Sequence, residues 1–486
     1  MVLKMKWIGD PYIDIGLAVI IAFCEKDDPD SLDESDLERV ASWALENYPE
    51  PPLRNFLAIA HTFNSWFAQP ALDRNPEKRA ALGRRHLYAW RELETSGERC
   101  VFTGGPAAGV KLENKLPAGR AGRAQIPLVQ SSTAINFFPN GSAGLPVSGD
   151  ALLCLQLFPL GCAQVANKLL AVHASDPMIT LRFVKHFLAL NLENLEVARR
   201  AGKASLPPIG YSAGTVILDA LMRITDGASR WSNFSITAYH LTNEHESPGV
   251  TIYHLPCEVL SFLKRANDYQ ATWSALVERA WASPSAQSGQ GCLTRNALYE
   301  DLVRLPERAG QFVQRHFLRT PLQLAVERHR ASDSTHEAFA LISWDLTAIF
   351  LHDVMNMTKA MISNIQAIGE QIARYIEVFQ DKTLLREIFT AERYEGLRQA
   401  LIKANLRAVV HLGKPLFTYD EFISTFGEGT DAQPVDRKLV RDLLAIRLIE
   451  CIGPNSRERL VRLVSDLERR RNLHSQETVV ASITGL

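Results

Sequence analysis

Residues 134–177 read AINFFPNGSAGLPVSGDALLCLQLFPLGCAQVANKLLAVHASDP, and this stretch decides the fold class. It opens on a strand-like aromatic pair, Phe137 and Phe138, and crosses a loop crowded with Gly, Ser, Asn and Pro. It then enters an apolar segment near Gly149 and Asp150 that reads as a helix over 149–170. Gly141, Gly144 and Gly149 carry no Cβ and Asn140 tolerates left-handed backbone, so such a loop lets main chain approach a ligand closely. Loops held on a rigid scaffold are where recognition resides, although an ordinary strand-to-helix connection has the same composition. A strand, loop and helix set among mainly helical sequence predict an α+β protein, mostly helical.

Moving toward the N-terminus, residues 10–24 read as a helix entered through Asp10-Pro11, a cap residue before a first-turn proline. Residues 35–48 form a second helix, ended by Pro49, Pro51 and Pro52, and 53–67 and 76–93 continue the helical pattern. Residues 100–148 change character: Gly, Pro and Ser are dense and apolar runs short, which fits strands with long loops. Moving toward the C-terminus, 177–200 is helical, 235–242 and 250–255 read as a hairpin, and 283–291 reads as a linker. Beyond residue 338 nearly everything is helical, over 339–379, 382–403, 419–425, 436–450 and 456–472. The chain therefore divides into a mixed domain over 1–337 and a helical bundle over 338–486.

The net charge of −1 hides a strong asymmetry. Residues 25–50 hold ten acidic against two basic residues, and 74–124 hold eleven basic against five acidic. A chain polarised in this way can present one face to nucleic acid and another to protein partners; two solvated surfaces would give the same counts. No run of about 18 apolar residues occurs. The 13–24 segment is interrupted by Asp14 and Gly16 and lacks the basic flank of a signal peptide. Seven scattered cysteines suit reduced thiols, so the cytoplasm is the expected compartment.

Three ordered blocks in the first third of the chain resemble the large subunit of the type I CRISPR–Cas Cascade, in its I-B or DevT-like branch. They are GDPYIDIGLAVIIAF (9–23) with the acidic helix after it, CVFTGGPA (100–107) followed by basic residues and IPL (126–128), and FFPNGSAGLPVSGDALL (137–153) with LLAVH (169–173). The resemblance implies a subunit that breaks no covalent bond and carries no cofactor. It would read a short protospacer-adjacent motif in duplex DNA, help open the duplex, and hold the displaced strand while guide RNA supplies sequence specificity. It also implies docking on the Cascade backbone subunits and recruitment of a helicase-nuclease or a transposition adaptor, away from any membrane. Large subunits of this branch end in a bundle similar to the Cascade small subunit, sometimes translated from an internal start. Met355, Met357 and Met361 stand at the front of this bundle, and a start at Met355 leaves 132 residues; the same methionines also suit core positions.

Binding nucleic acid requires cations for phosphates and amides, hydroxyls or guanidinium forks for base edges. The candidates for reading the duplex are Lys111, Arg120, Arg123, Asn136, Asn140, Ser142 and Ser148. Those for the DNA backbone are Arg84 and Arg85, near His86, Tyr88 and Trp90, with Lys359, Arg374, Lys403, Arg407, Arg437 and Arg441 in the bundle. Lys403 with Arg407, and Arg437 with Arg441, are i,i+4 pairs that share a helix face, as ordinary solvated faces also do.

A competing reading is a serine hydrolase, because Gly210-Tyr211-Ser212-Ala213-Gly214 fits G-x-S-x-G. The basic, proline-containing stretch before it makes a poor central strand, and Ser212 or Thr215 is also suited to cap the following helix. A metal is not expected: some related large subunits carry a Cys-x-x-Cys zinc knuckle at Cys100, but Thr103 occupies the second position. His352-Asp353 is an isolated pair, and no Walker A or G-x-G-x-x-G pattern occurs.

Overall fold

The computed structural model describes residues 5–129, 143–225, 233–243, 248–282, 293–318, 343–391, 394–426 and 437–452. The protein is α+β and mostly helical, with small antiparallel sheets that, among the described residues, all lie before residue 297. Two compact units form. The first comprises residues 1–257 and 281–303, the second 258–280 and 304–486. The division expected at 337/338 lies outside the described residues.

The first unit is built around α1 (Pro11–Phe23). Asp10 caps it by accepting the N–H groups of Tyr12 and Ile13, and Pro11 sits in the first turn, where its missing N–H costs nothing. Residues from Ile13 through Ile21 are all buried, so the helix is wrapped on every side. Its wrapping is supplied by α5 (Gly149–Leu157), α6 (Pro177–Arg200) and the turn Phe158–Gly161. Gly16 permits the tightest crossing, because a Cβ there would lie 2.1 Å from the Cys154 carbonyl oxygen. Gly16→Val should therefore destabilise the unit by about 3 kcal/mol or more, read from the denaturant midpoint. An unchanged midpoint would mean that α1 and α5 do not meet there.

One charged residue lies inside this apolar helix. Asp14 is 2 % exposed, yet it accepts the N–H groups of Ile8 at 2.9 Å and Gly9 at 3.0 Å, and faces His173 Nε2 at 3.0 Å. A buried carboxylate is tolerated only when its oxygens are satisfied in this way.

The sequence expectation of a helix over 149–170 fails at residue 158. Pro159 and Gly161 close α5 with a 3-10 turn, and the residues after Cys162 form two short strands. Strand β5 (Ala163–Val165) turns through Ala166, at φ +53°, into β6 (Lys168–Ala174). Strands β7 (Ile236–Thr242) and β8 (Gly249–Leu255) form the expected hairpin and complete a sheet in the order β5-β6-β7-β8. The stretch 162–170 is short and carries only Gln164, Asn167 and Lys168 among apolar residues, so its periodicity alone does not separate strand from helix.

Residues 94–148 form an interleaved set of short strands: β1 (Thr95–Arg99) with β2 (Pro106–Ala108), and β3 (Arg120–Ala121) with β4 (Leu145–Pro146). The Val101 N–H donates to the Pro146 carbonyl at 3.0 Å and the Ala108 N–H to the Val147 carbonyl at 2.9 Å, which joins the two pairs. Four further helices complete what is needed here: α2 (Glu34–Asn47), α3 (Leu53–His61), α4 (Pro76–Leu87) and α7 (Ala213–Thr225).

In the second unit, Phe262, Phe312, Phe317 and Phe350 form an aromatic core, with Phe312 and Phe350 stacked at 4.8 Å between centroids. This cluster draws residues 258–280 and 304–318 into the same body as the C-terminal helices. In the bundle, Ile362, Ile365, Ile368, Ile372 and Ile376 line one face of the Lys359–Phe379 helix, which packs on the Arg437–Cys451 helix. The single helix expected over 339–379 is broken between Val354 and Thr358, with Asn356 at φ +53°. The 382–403 helix is likewise two, Lys382–Thr390 and Tyr394–Leu412. The segment 456–472 lies outside the described residues. Among the described residues no helix is long and apolar enough to cross a membrane.

Candidate nucleic-acid interface

Helix α4 is the most cationic exposed element of the first unit. Asn75 caps it by accepting the Lys78 N–H at 3.0 Å, and Pro76 occupies its first turn. Gly83, His86 and Leu87 turn inward, which leaves Lys78, Arg84 and Arg85 exposed. Lys111 and Lys115 are exposed on the loop after β2. None of these five cations has a carboxylate partner among the described residues, whereas Arg79 is paired with Asp73.

The expected aromatic neighbours of Arg84 and Arg85 divide differently. His86 is buried, with Nδ1 at 2.8 Å from the Leu82 carbonyl and Nε2 facing the Gln125 side-chain amide at 3.2 Å. Burial pushes its pKa down to about 4, which the Leu82 carbonyl only partly opposes. Trp90 is buried as well. Arg91, another cation of the same basic segment, is the guanidinium that stacks, 4.8 Å from the Trp90 ring centre and 5.3 Å from that of Tyr88. It is also paired with Glu38 of α2. The acidic and basic segments are thus neighbours: α2 packs beside α4 through Leu45 against Gly83.

Arg120 is corrected from a surface reader to an internal strut, whereas Arg123 is half-buried. Arg120 is 3 % exposed; its Nε donates to Glu98 Oε2 at 2.8 Å, its Nη2 to Oε1 at 2.5 Å, and its Nη1 to the Gly144 carbonyl at 2.8 Å. The fork therefore ties β1 to the chain that leads into β4, and the guanidinium holds the Glu98 carboxyl below its ordinary value. Arg123 donates to the Asn243 carbonyl at 3.0 Å and so fixes the end of β7. Ser148 is also corrected: it is buried at the start of α5, its Oγ 3.1 Å from Thr103 Oγ1. Asn136, Asn140 and Ser142 lie outside the described residues.

The turn after β1 keeps a knuckle-like hydrogen bond, the Thr103 N–H donating to Cys100 Sγ at 3.5 Å. No group of three or more His, Cys, Asp or Glu is placed to hold a metal among the described residues. His352 and Arg265 both engage Asp353, at 2.8 and 2.7 Å.

In the second unit Lys359 and Arg374 are exposed. Lys403 faces Glu387 at 3.6 Å, and Arg407 is held by Asp381 at 2.7 Å. Arg441 bonds Asp442 at 2.6 Å and the Ala391 carbonyl at 2.9 Å. The Lys403/Arg407 stripe is consequently already engaged by carboxylates. Arg437 is the first residue of its helix. Met355, Met357 and Met361 are each half-buried.

Ser212 precedes α7 and is 8 % exposed. Its Oγ donates to Glu300 Oε1 at 2.5 Å and lies 2.9 Å from Thr215 Oγ1; among the described residues no imidazole bonds it. Glu300 also accepts the Thr215 N–H at 3.1 Å, which places a carboxylate at the positive end of α7. The carboxylate that caps this helix is thus that of Glu300, with Ser212 bonded to it.

No family model matches the chain. No curated protein matches it either.

The residues that pattern reading missed are Glu98 and the buried Asp14–His173 pair. Only Asp14 had left a trace, as the one charge interrupting an apolar helix. Around that pair, burial raises the Asp10 carboxyl above its ordinary value and pushes Tyr12 up to about 12.

Proposed function

We propose that this chain is the non-catalytic large subunit of an RNA-guided type I CRISPR Cascade complex, reading a short motif in duplex DNA and steadying the opened strands. The observation that carries the reading is the exposed set Lys78, Arg84, Arg85, Lys111 and Lys115, grouped by sequence around the blocks that carry the resemblance and unpaired with carboxylates among the described residues. Unpaired cations are what release counterions on meeting phosphates. Arg91, stacked on Tyr88 and Trp90, adds a planar cation beside them. The three blocks also meet in one body: α1 crosses α5, and the 100–107 turn is bonded to Pro146. Partners on this reading are duplex and displaced single-stranded DNA, guide RNA, the backbone subunits, and a helicase-nuclease or transposition adaptor.

Arg84→Glu/Arg85→Glu/Lys111→Glu in the assembled complex should weaken target binding by about tenfold or more and reduce the salt slope by up to about three. Arg120 and Arg123 are unsuitable for this test, because both side chains bond other parts of the fold. Unchanged affinity and salt slope would overturn the reading. An esterase activity abolished by Ser212→Ala, with those same values unmoved by the triple variant, would point to hydrolysis instead.

A further inference from the structure

Arg91 ends the basic stretch that begins on α4, and its guanidinium is held in a fixed setting. The ring centres of Trp90 and Tyr88 lie 4.8 and 5.3 Å from it. Trp90 is itself immobilised: it is buried, and its Nε1 donates to the Leu87 carbonyl at 3.0 Å. The turn carrying both residues is pressed against α5, where a Cβ on Gly149 would lie 2.3 Å from the Ala89 carbonyl. A guanidinium carries all its donors in its own plane, so one whose face rests on a ring meets an anion edge-on.

That edge is occupied. Glu38 reaches Arg91 from α2, a helix anchored by buried Leu37, Val40, Ala41 and Ala44 and lying beside α4. Only the Glu38 side chain has to turn to free the guanidinium. Both partners face water, the Arg91 side chain being 48 % exposed and that of Glu38 42 %. A surface ion pair of this kind shifts an equilibrium about two- to fivefold, enough to bias a contact and too little to forbid it. A carboxylate and a phosphate offer an arginine the same paired oxygens. They exclude each other at one edge, because like charges in contact repel. Lys78, Arg84, Arg85, Lys111 and Lys115 have no such carboxylate among the described residues.

We propose that Glu38 is a built-in competitor for phosphate: it holds Arg91 closed in the free chain, and a backbone phosphate of bound nucleic acid takes its place at the same guanidinium edge. This rests on the nucleic-acid reading above and adds a regulated contact to it. The free cations make the first, sequence-independent contact. Arg91 joins only where a phosphate comes close enough to displace the carboxylate.

The test measures binding of the full chain to a labelled DNA duplex at low salt, as a double-mutant cycle. Glu38→Gln keeps the side chain's shape, removes its charge, and should tighten binding about two- to fivefold. Arg91→Ala should weaken binding and lower the salt slope by about one. In the Arg91→Ala background the effect of Glu38→Gln should vanish. Glu34→Gln takes the same charge from α2 one turn earlier and should leave the affinity at the parent's value. Thermal midpoints check that each variant is folded, and Arg91→Gln replaces Arg91→Ala if the latter is not. Unchanged affinity in Glu38→Gln overturns the proposal. So does a tightening that Glu34→Gln reproduces or that survives the loss of Arg91, since net charge would then be its source. If Glu38→Gln is silent while Arg84→Glu/Arg85→Glu/Lys111→Glu weakens binding, the competitor falls and the nucleic-acid reading stands. If that triple variant binds as the parent does, both fall.

Discussion

Lowering the pH from about 7 to about 4.5 will cost the first unit several kcal/mol of stability, because two fully buried imidazoles must stay neutral for it to fold. His61 is 0 % exposed and His86 2 %. Burial drives each pKa down to about 4; His86 further opposes charge on His61, and Arg85 opposes it on His86. The Leu155 carbonyl lies close enough to His61 to resist that shift without completing a hydrogen bond. A histidine with a lowered folded pKa binds its proton more readily when unfolded. The effect is therefore absent above about pH 6.5, grows as the pH falls, and is complete near pH 4. At about 1.4 kcal/mol per pKa unit, each ring contributes roughly 3 kcal/mol and the two together about 6. Urea midpoints across this range, followed by the fluorescence of buried tryptophans such as Trp66, measure the slope. His61→Leu should remove about half of it. A curve that stays level between about pH 6.5 and 4.5 would show that these rings are hydrated.

Arg120→Ala is expected to be the most damaging single substitution outside the apolar core. It removes a buried guanidinium, leaves the Gly144 and Ala143 carbonyls without their donor, and strips Glu98 of its partner. Breaking a buried pair from one side costs about 3–5 kcal/mol. Half-exposure of Glu98 places this case at the lower end, near about 3 kcal/mol. Glu98→Gln, which keeps an acceptor beside the guanidinium, should cost clearly less. The readouts are the thermal midpoint and hydrogen exchange over residues 95–99 and 143–146. If Arg120→Ala left stability untouched and weakened only DNA binding, Arg120 would be a reader after all.

These two residues show how a local feature misleads when its surroundings are unknown. Arg120 and Arg123 sit in a basic stretch, and a cation in such a stretch is expected at the surface. Whether a guanidinium meets phosphate or a carbonyl depends on strands that return from residues 144 and 243. Ser212 is similar. Its motif is local, but Glu300, which bonds it, lies 88 residues away. The turn Pro159–Gly161 is the opposite case, a local breaker that composition did contain and that the long apolar run obscured.

What the sequence determined by itself was everything governed by neighbours within a few residues. The caps at Asp10 and Asn75, the proline-bounded end of α2, the β7–β8 hairpin and the isoleucine face of 362–376 follow from short-range geometry and hydrogen bonding. The mostly helical α+β class followed with them. The tertiary structure alone decided which charges are spent inside the fold, that α2 lies against α4, that residues 258–280 join the C-terminal unit, and that the 162–170 segment is strand. Each of these turns on contacts between residues distant in the chain, where burial and pairing outweigh the weak local preferences that a sequence pattern reports.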